Sequence, residues 1–294
     1  MTLGLAATLP GAFAQGTGAL LTRPIPSSGE RLPAVGLGTW LTFDVSVHDR
    51  EAMARRRAVV ERFFAAGGRL VDSSPMYGHA EAAMGELLAR PEPRLFAATK
   101  VWTPLGAYGA TQMRRSLALW KLPRVDLMQV HNLLNWRAHL PTLRDWKAQG
   151  LVRYVGVTTS HGTAHDEMQR VIDGERGIDV MQITYNPVDR RAEPLMQRAA
   201  AQGIAVIVNR PFDGGALLER LARVPLPPVA VELGCAQWAP LVLKWELAHP
   251  AVTVAIPATT NPEHVAQNLA ALRGPLPDDR QREAIARAMA SALG

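Results

Sequence analysis

VDLMQVHNLLNWRAHLPTLRDWKAQGLVRYVGVT, residues 125–158, is the stretch on which the fold turns. It opens on a short apolar run, Val125–His131, and passes through an amphipathic stretch, Leu140–Gln149. Gly150 then stands where a helix end favours a left-handed residue, and a second run rich in β-branched residues, Tyr154–Thr158, follows. Strand, helix, strand in this order is the unit of a parallel sheet. The alternation extends in both directions. Ala34–Gly38, Arg69–Asp72 and Leu95–Lys100 read as strands before it, and Val180–Ile183, Ile204–Asn209 and Val252–Ile256 after it. Helical patterns lie between them at Ala52–Ala66, Ala80–Ala89, Ala110–Leu119, Asp166–Asp173, Glu193–Gln202 and Gln237–Ala248, with Gly67-Gly68 and Gly203 at helix ends. Eight such units can close on themselves and leave no sheet edge, so the expected fold is an α/β (β/α)8 TIM barrel rather than an open doubly wound sheet. Pro24–Pro33, with Ser27-Ser28-Gly29 at its middle, reads as a β-hairpin ahead of the first strand, placed to plug the bottom of the barrel. Residues 18–294 are expected to form a single barrel domain.

Composition agrees with one large core: 294 residues, 48% hydrophobic and 20% charged. Of 32 basic residues only four are lysines (Lys100, Lys121, Lys147, Lys244), which leaves 28 arginines. The run Arg55-Arg56-Arg57, flanked by Glu51 and Glu61, reads as a solvated helix face, and no nucleic-acid partner is expected. Cys235 is the sole cysteine, so the chain can form neither an internal disulfide nor a cysteine-based zinc site. His161 and His165 are four apart, but Gly162-Thr163 breaks the helical face between them; they read as surface loop residues, and no metal is expected. Leu3–Phe13 is apolar and followed by Ala14, in an A-x-A-like arrangement, yet the first basic residue is Arg23. Residues 1–17 are either a truncated export signal, which would send the protein to the periplasm, or a disordered tail on a cytoplasmic one. The apolar stretch is too short to span a bilayer, and no membrane partner is expected.

In a barrel of this kind reacting groups sit at the carboxyl ends of strands. Asp72 ends the second strand, Lys100 the third and His131 the fourth, while Tyr77 lies five residues past Asp72 in the loop above it. Neighbouring strands are about 4.8 Å apart, so these groups can converge. An acid, a phenol, an ammonium and an imidazole suit delivery of a proton to a carbonyl oxygen while hydride attacks its carbon. A free tyrosine has a pKa of about 10, so it gains as an acid if a cation stabilises the phenolate it leaves. Lys100 would supply that cation, Asp72 would hold it, and His131 would orient the carbonyl or share the proton. Taken singly, each residue has a plainer reading. Asp72 with Ser73-Ser74-Pro75 caps a turn, Lys100 is a surface residue and His131 is structural.

Further motifs fall into place around these positions. Val35-Gly36-Leu37-Gly38-Thr39-Trp40, Val71–Gly78, Thr99-Lys100-Val101-Trp102 and Asp126–His131 resemble the successive signatures of the aldo-keto reductase family. So do Gly150–Thr158, Gln182–Pro187 and Ile256–His264, the last continuing to Asn268. The resemblance covers roughly residues 24–271. It implies that Asp72, Tyr77, Lys100 and His131 are a catalytic tetrad and that NADPH, or NADH, lies extended across the barrel mouth without a Rossmann fold. Gly38, Thr39, Thr158, Thr159 and Gln182 would then line the nicotinamide end. Asn209, Arg210, Pro211, Phe212 and Gly214 would wrap the pyrophosphate, and Thr259, Thr260, His264 and Asn268 would hold the adenosine part. Trp40, Met76, Trp102 and Asn132 would border a small-molecule carbonyl substrate.

Three departures stand out. Asn209 occupies a position where many members stack an aromatic ring on the nicotinamide, Thr158-Thr159 replaces a Ser-Asn pair, and Ala258 and His264 stand where NADPH-preferring members carry a Lys and an Arg. The last change reduces any preference for NADPH over NADH. Two other functions suit the same residues: a Schiff-base lyase using Lys100, and a cofactor-sensing subunit with little turnover. The sequence sets no oligomeric state.

Overall fold

The computed structural model describes residues 19–88, 92 and 94–293. The segment 1–17, read as a signal or a tail, lies outside the described residues. The chain begins with a hairpin, β1 (Thr22–Pro24) and β2 (Arg31–Pro33), followed by β3 (Leu37–Gly38), α1 (Arg50–Ala65), β4 (Leu70–Asp72), α2 (Ala80–Leu87) and β5 (Phe96–Val101). Then come α3 (Gly106–Trp120), β6 (Val125–Val130), α4 (Trp136–Ala148), β7 (Val152–Thr158), α5 (His165–Gly174), β8 (Val180–Thr184), α6 (Glu193–Ala201) and β9 (Ala205–Asn209). The last part holds α7 (Ala216–Leu221), α8 (Val229–Glu232), α9 (Trp238–Leu247), β10 (Val252–Ala255), α10 (Pro262–Ala270) and α11 (Asp279–Leu293).

Strands β3 to β10 pair in sequence order, all parallel. Bridges from Val35 to Ala255 and from Gly38 to Ala258 join the first strand to the last and close the sheet into the expected (β/α)8 barrel. Each run read as a strand forms one of the eight, although the first is regular only over Leu37–Gly38. Gly150 acts as read: with φ 75° it reverses the chain between α4 and β7, its amide bonded to the carbonyl of Lys147 and the next amide to Trp146.

The hairpin is the plug expected from Pro24–Pro33. Ile25 and Leu32, each 1% exposed, pack onto the inward residues Leu70, Phe96, Leu127 and Tyr154 at the barrel bottom. Burial of two such side chains is worth about 1.5–3 kcal/mol each. Glu30 of the turn accepts from Arg69 (3.1 Å) and from the Tyr154 hydroxyl (2.8 Å), so polar contacts fix the plug's register. In the layer between the barrel and its helices, buried Glu81 of α2 accepts from Thr99 (2.5 Å), Ser116 (3.1 Å) and the Trp120 indole (3.3 Å), fastening β5 to α3 next to Lys100 in the chain.

The C-terminal α11 was not among the helices read from the sequence, and tertiary contacts hold it. Arg282 lies 4.6 Å over the Trp245 ring and donates to the Tyr185 hydroxyl at 2.7 Å. On α9, beside Trp245, Glu246 is fully buried and neither of its carboxyl oxygens has a hydrogen-bond partner. Burial pushes its pKa well above the ordinary carboxylate value, so the folded chain keeps this acid protonated where the unfolded chain ionises it. Its contribution to stability is therefore present at low pH and is lost as pH climbs toward the folded-state pKa. Glu246→Leu is expected to raise stability by about 1–3 kcal/mol at neutral pH and to flatten the decline of Tm above pH 5. Thermal unfolding of both proteins across pH 5–8 checks this, and an unchanged slope would refute it.

Candidate active site

Asp72 is the last residue of β4 and pairs in register with Ala98, while Lys100 of β5 pairs with Gln129 of β6. This register puts Lys100 on the inward face at the carboxyl end of the barrel, with no exposed surface. Its ammonium donates to Asp72 Oδ2 (2.5 Å) and to the carbonyl of Ser73 (2.8 Å). The other oxygen of Asp72 accepts from the side-chain amides of Gln129 and Gln182, each at 3.0 Å. The reading of Lys100 as a surface residue is thereby excluded.

Above this pair the β4–α2 loop folds Tyr77 over the lysine, whose Nζ lies 5.0 Å from the centre of the phenol ring. His131, immediately after β6, meets Tyr77 edge to face with ring centres 5.7 Å apart. The four residues read as one set do meet in one cluster.

Burial opposes the charge on Lys100, but Asp72 and Tyr77 together outweigh it and hold its pKa above the usual value. Burial likewise raises the Tyr77 phenol, and Lys100 pulls in the opposite direction. For His131 both influences agree: burial, then the charge of Lys100, push its pKa down to about 2. The imidazole is therefore neutral at any working pH. Of its two expected roles, this depression favours that of a neutral hydrogen-bonding group over that of a proton store.

The cluster opens into a cavity of about 390 Å³. Its lining takes in Gly38, Thr39, Trp40, Met76 and Asn132 near the cluster, then Thr158, Gln182 and Asn209 at strand ends. It continues along the loop after β9 through Arg210, Pro211, Phe212 and Gly214, and reaches Thr259, His264 and Asn268 at the start of α10. Lys100 lies beneath the cavity floor, and three of the positions expected to hold cofactor or substrate do not line it either. Trp102 stands 41% exposed on the β5–α3 loop, Thr260 is exposed, and Thr159 is buried behind the wall.

Local bonds explain the departures noted in the sequence. Thr158 Oγ1 accepts the Asn132 amide (3.0 Å). Asn209 accepts from Thr184 (2.6 Å) and donates to the carbonyl of Thr159 (2.8 Å), so its amide is spent tying three strand ends together. Ala258 and His264 both line the cavity, and His264 Nδ1 lies 3.2 Å from Thr259 Oγ1. Among the described lining residues, Arg210 alone carries a fixed positive charge. It pairs with Asp213 (2.9 Å) and lies 5.3 Å from the Trp40 ring.

Sequence reasoning missed several neighbours of the cluster. Gln129 is fully buried, and the signal was an amide inside the apolar run Leu127-Met128-Gln129-Val130. Ser74 is read as a turn residue yet bonds His131. His161, taken as a surface loop residue, is exposed but lines the cavity, edge-on to Trp40 at 6.3 Å. It follows the end of β7, where the strand-end rule that located the other residues also applies. Among the described residues no cluster of three or more metal-ligating side chains occurs, and no helix is long and apolar enough to cross a membrane.

A closed parallel barrel with this polar cluster at its carboxyl mouth, beside a cleft lined from β3 round to α10, is the arrangement of a barrel enzyme. The sequence profile described as "Aldo/keto reductase family" matches residues 34–286. The chain belongs to the aldo/keto reductase family, and is thereby an oxidoreductase of carbonyls that works with a nicotinamide cofactor. It is 27% identical over 251 residues to a methylglyoxal reductase of Escherichia coli K12, covering 82% of this chain and 86% of that one. To the mouse aldo-keto reductase family 1 member A1 it is 24% identical over 285 residues, with 82% of each chain covered. In fold it is similar to the holo form of an aldo-keto reductase from Bacillus halodurans, with TM-score 0.76, 20% identity, and 92% of this chain and 96% of that one covered. An aldo/keto reductase of Klebsiella pneumoniae, solved in complex with NADP and acetate, gives TM-score 0.71 at 23% identity over 88% of this chain and 92% of its own.

Proposed function

We propose that this enzyme reduces an aldehyde or ketone to the alcohol, with Tyr77 giving its proton to the carbonyl oxygen and NADPH or NADH as cofactor. The observation that carries this reading is the fully buried Lys100–Asp72 pair beneath the Tyr77 ring. When bound, the nicotinamide supplies hydride to the carbonyl carbon. Tyr77 loses its proton as charge builds on the oxygen, Lys100 stabilises the phenolate left behind, and water reprotonates it. Asp72, held by Gln129 and Gln182, keeps the ammonium in place. His131 offers the carbonyl oxygen a hydrogen bond.

The chemistry of the lining supports a dinucleotide. Gly38, Thr39, Thr158 and Gln182 line the reactive end and suit a carboxamide, while Thr159, its hydroxyl buried without a partner, sits behind them. Arg210 and the positive-φ backbone of Gly214, with Asn209, Pro211 and Phe212 around them, suit a diphosphate. Thr259, His264 and Asn268 suit an adenosine, with Thr260 outside the lining. With no lysine or arginine lining that end, a 2′-phosphate meets no fixed charge, so the preference for NADPH over NADH is small. Trp40, Met76 and Asn132 border the carbonyl, and Trp102 stands outside the cavity.

The lyase reading is disfavoured, because an imine needs a free amine lone pair and Lys100 is held as an ammonium. Incubation with nitrobenzaldehyde and NADPH is expected to consume one NADPH for each alcohol formed. Substrate trapped on Lys100 by borohydride would sink the reading in favour of a lyase, and NADPH bound but never consumed would sink it in favour of a sensor.

A further inference from the structure

Ser74 touches neither the cleft nor the lysine, yet it joins the two sides of the cluster. It lies in the loop between Asp72 and Tyr77 with no exposed surface. Its carbonyl accepts the Tyr77 amide (3.0 Å), its hydroxyl oxygen accepts the Met76 amide (3.1 Å), and the same oxygen lies 2.8 Å from His131 Nδ1. The hydroxyl proton has one acceptor within reach, the imidazole nitrogen. Were Nδ1 instead the donor, a buried hydroxyl proton would be left without a partner, an arrangement that costs more than a hydrogen bond is worth. Nε2 has no hydrogen bond to the protein, and His131 lines the cavity.

We propose that Ser74 is a positioning residue that sets the tautomer of His131, donating to Nδ1 so that Nε2 carries the ring proton and offers it to the substrate carbonyl. This rests on the reductase reading. It adds that the loop bearing the proton donor also orients the second hydrogen-bond donor, so that both groups are placed by one turn. Depression of the imidazole pKa by burial and Lys100 keeps the ring neutral, which is the condition under which a tautomer choice matters. The opposite tautomer would aim a lone pair at the carbonyl oxygen and repel it.

The test uses the whole chain with NADPH bound. The ¹⁵N spectrum of the wild-type protein, with His131 assigned by comparison with His131→Gln, is expected to show Nδ1 unprotonated and Nε2 protonated at neutral pH. Ser74→Ala is expected to mix the two tautomers. It should also lower kcat/KM for the carbonyl by about tenfold to a hundredfold, the size of effect known for losing the group that orients a metal-ligating histidine. Affinity for NADPH should stay within twofold. A wild-type spectrum with the proton on Nδ1 overturns the inference whatever the variant does. So does a Ser74→Ala protein with unchanged tautomer and full kcat/KM. Either result leaves wild-type turnover, and hence the reductase reading, untouched.

Discussion

Tyr77→Phe is expected to lower kcat by about 10²–10⁴-fold while leaving the Kd for NADPH nearly unchanged. The substitution deletes one hydroxyl and keeps the ring that packs against His131, so cofactor and substrate still find the same walls. What is lost is the proton that the carbonyl oxygen takes in the transition state. His131 does not replace it, because with its pKa pushed down to about 2 the ring is neutral, and a neutral imidazole N–H donates a hydrogen bond but is a far weaker acid than a phenol. For the same reason the wild-type pH profile of kcat is expected to be level between pH 6 and 7, where an ordinary imidazole would titrate. Steady-state kinetics with nitrobenzaldehyde and fluorescence titration of NADPH separate the two quantities. A variant that keeps its kcat would mean that another group supplies the proton.

Lys100→Met is expected to abolish turnover to a similar degree and, unlike Tyr77→Phe, to destabilise the fold. Removal of one member of a buried ion pair leaves the other charge uncompensated, at a cost of about 3–5 kcal/mol. Here the remaining charge is Asp72, which is 2% exposed and would retain only the amides of Gln129 and Gln182. The double variant Asp72→Asn with Lys100→Met should recover much of the lost stability and none of the activity, since the buried charge is gone but the phenolate still lacks its cation. The sign with pH follows from the raised pKa of Lys100. The contribution of Lys100 is complete below the ordinary lysine value and is lost only above it, so the intact pair stabilises the wild type equally at pH 6 and pH 8. The single variant, left with a buried carboxylate, should be no more stable at pH 8 than at pH 6. Denaturant unfolding of the three proteins at both pH values measures this. Equal stability of the single variant and wild type would show that the pair is solvated.

Much of the barrel is legible because its signals are local. Apolar runs of strand length, the amphipathic stretches between them and the glycines at helix ends each depend on a few adjacent residues, and all eight runs pair as read. The first strand is shorter than its apolar run because Val35 meets the last strand only through a bridge. Helix α11 carries a pattern of the same kind, Ile285 and Met289 standing four apart and both buried, yet it was not among the helices read; Arg282 stacking on Trp245, far away in the chain, holds it in place. The four clustered side chains could be read because each lies at or just past a strand end. Gln182 was assigned to the cofactor but also braces Asp72, 110 residues earlier, and no spacing rule joins positions so far apart.

The sequence by itself determined the order of the βα units, the closing of eight strands into a barrel and the identities of the acid, phenol, ammonium and imidazole at the mouth, because periodicity and strand-end placement are properties of short segments. Only the tertiary structure decided how charged those groups are and what holds them. Burial silences the imidazole of His131, two glutamines brace Asp72, and Ser74 reaches across from the Tyr77 loop. Loop conformation likewise leaves Trp102 outside the cavity and puts His161, at φ 61°, on its wall. Desolvation and backbone direction depend on everything packed around a residue, and a single stretch of sequence does not contain that surrounding.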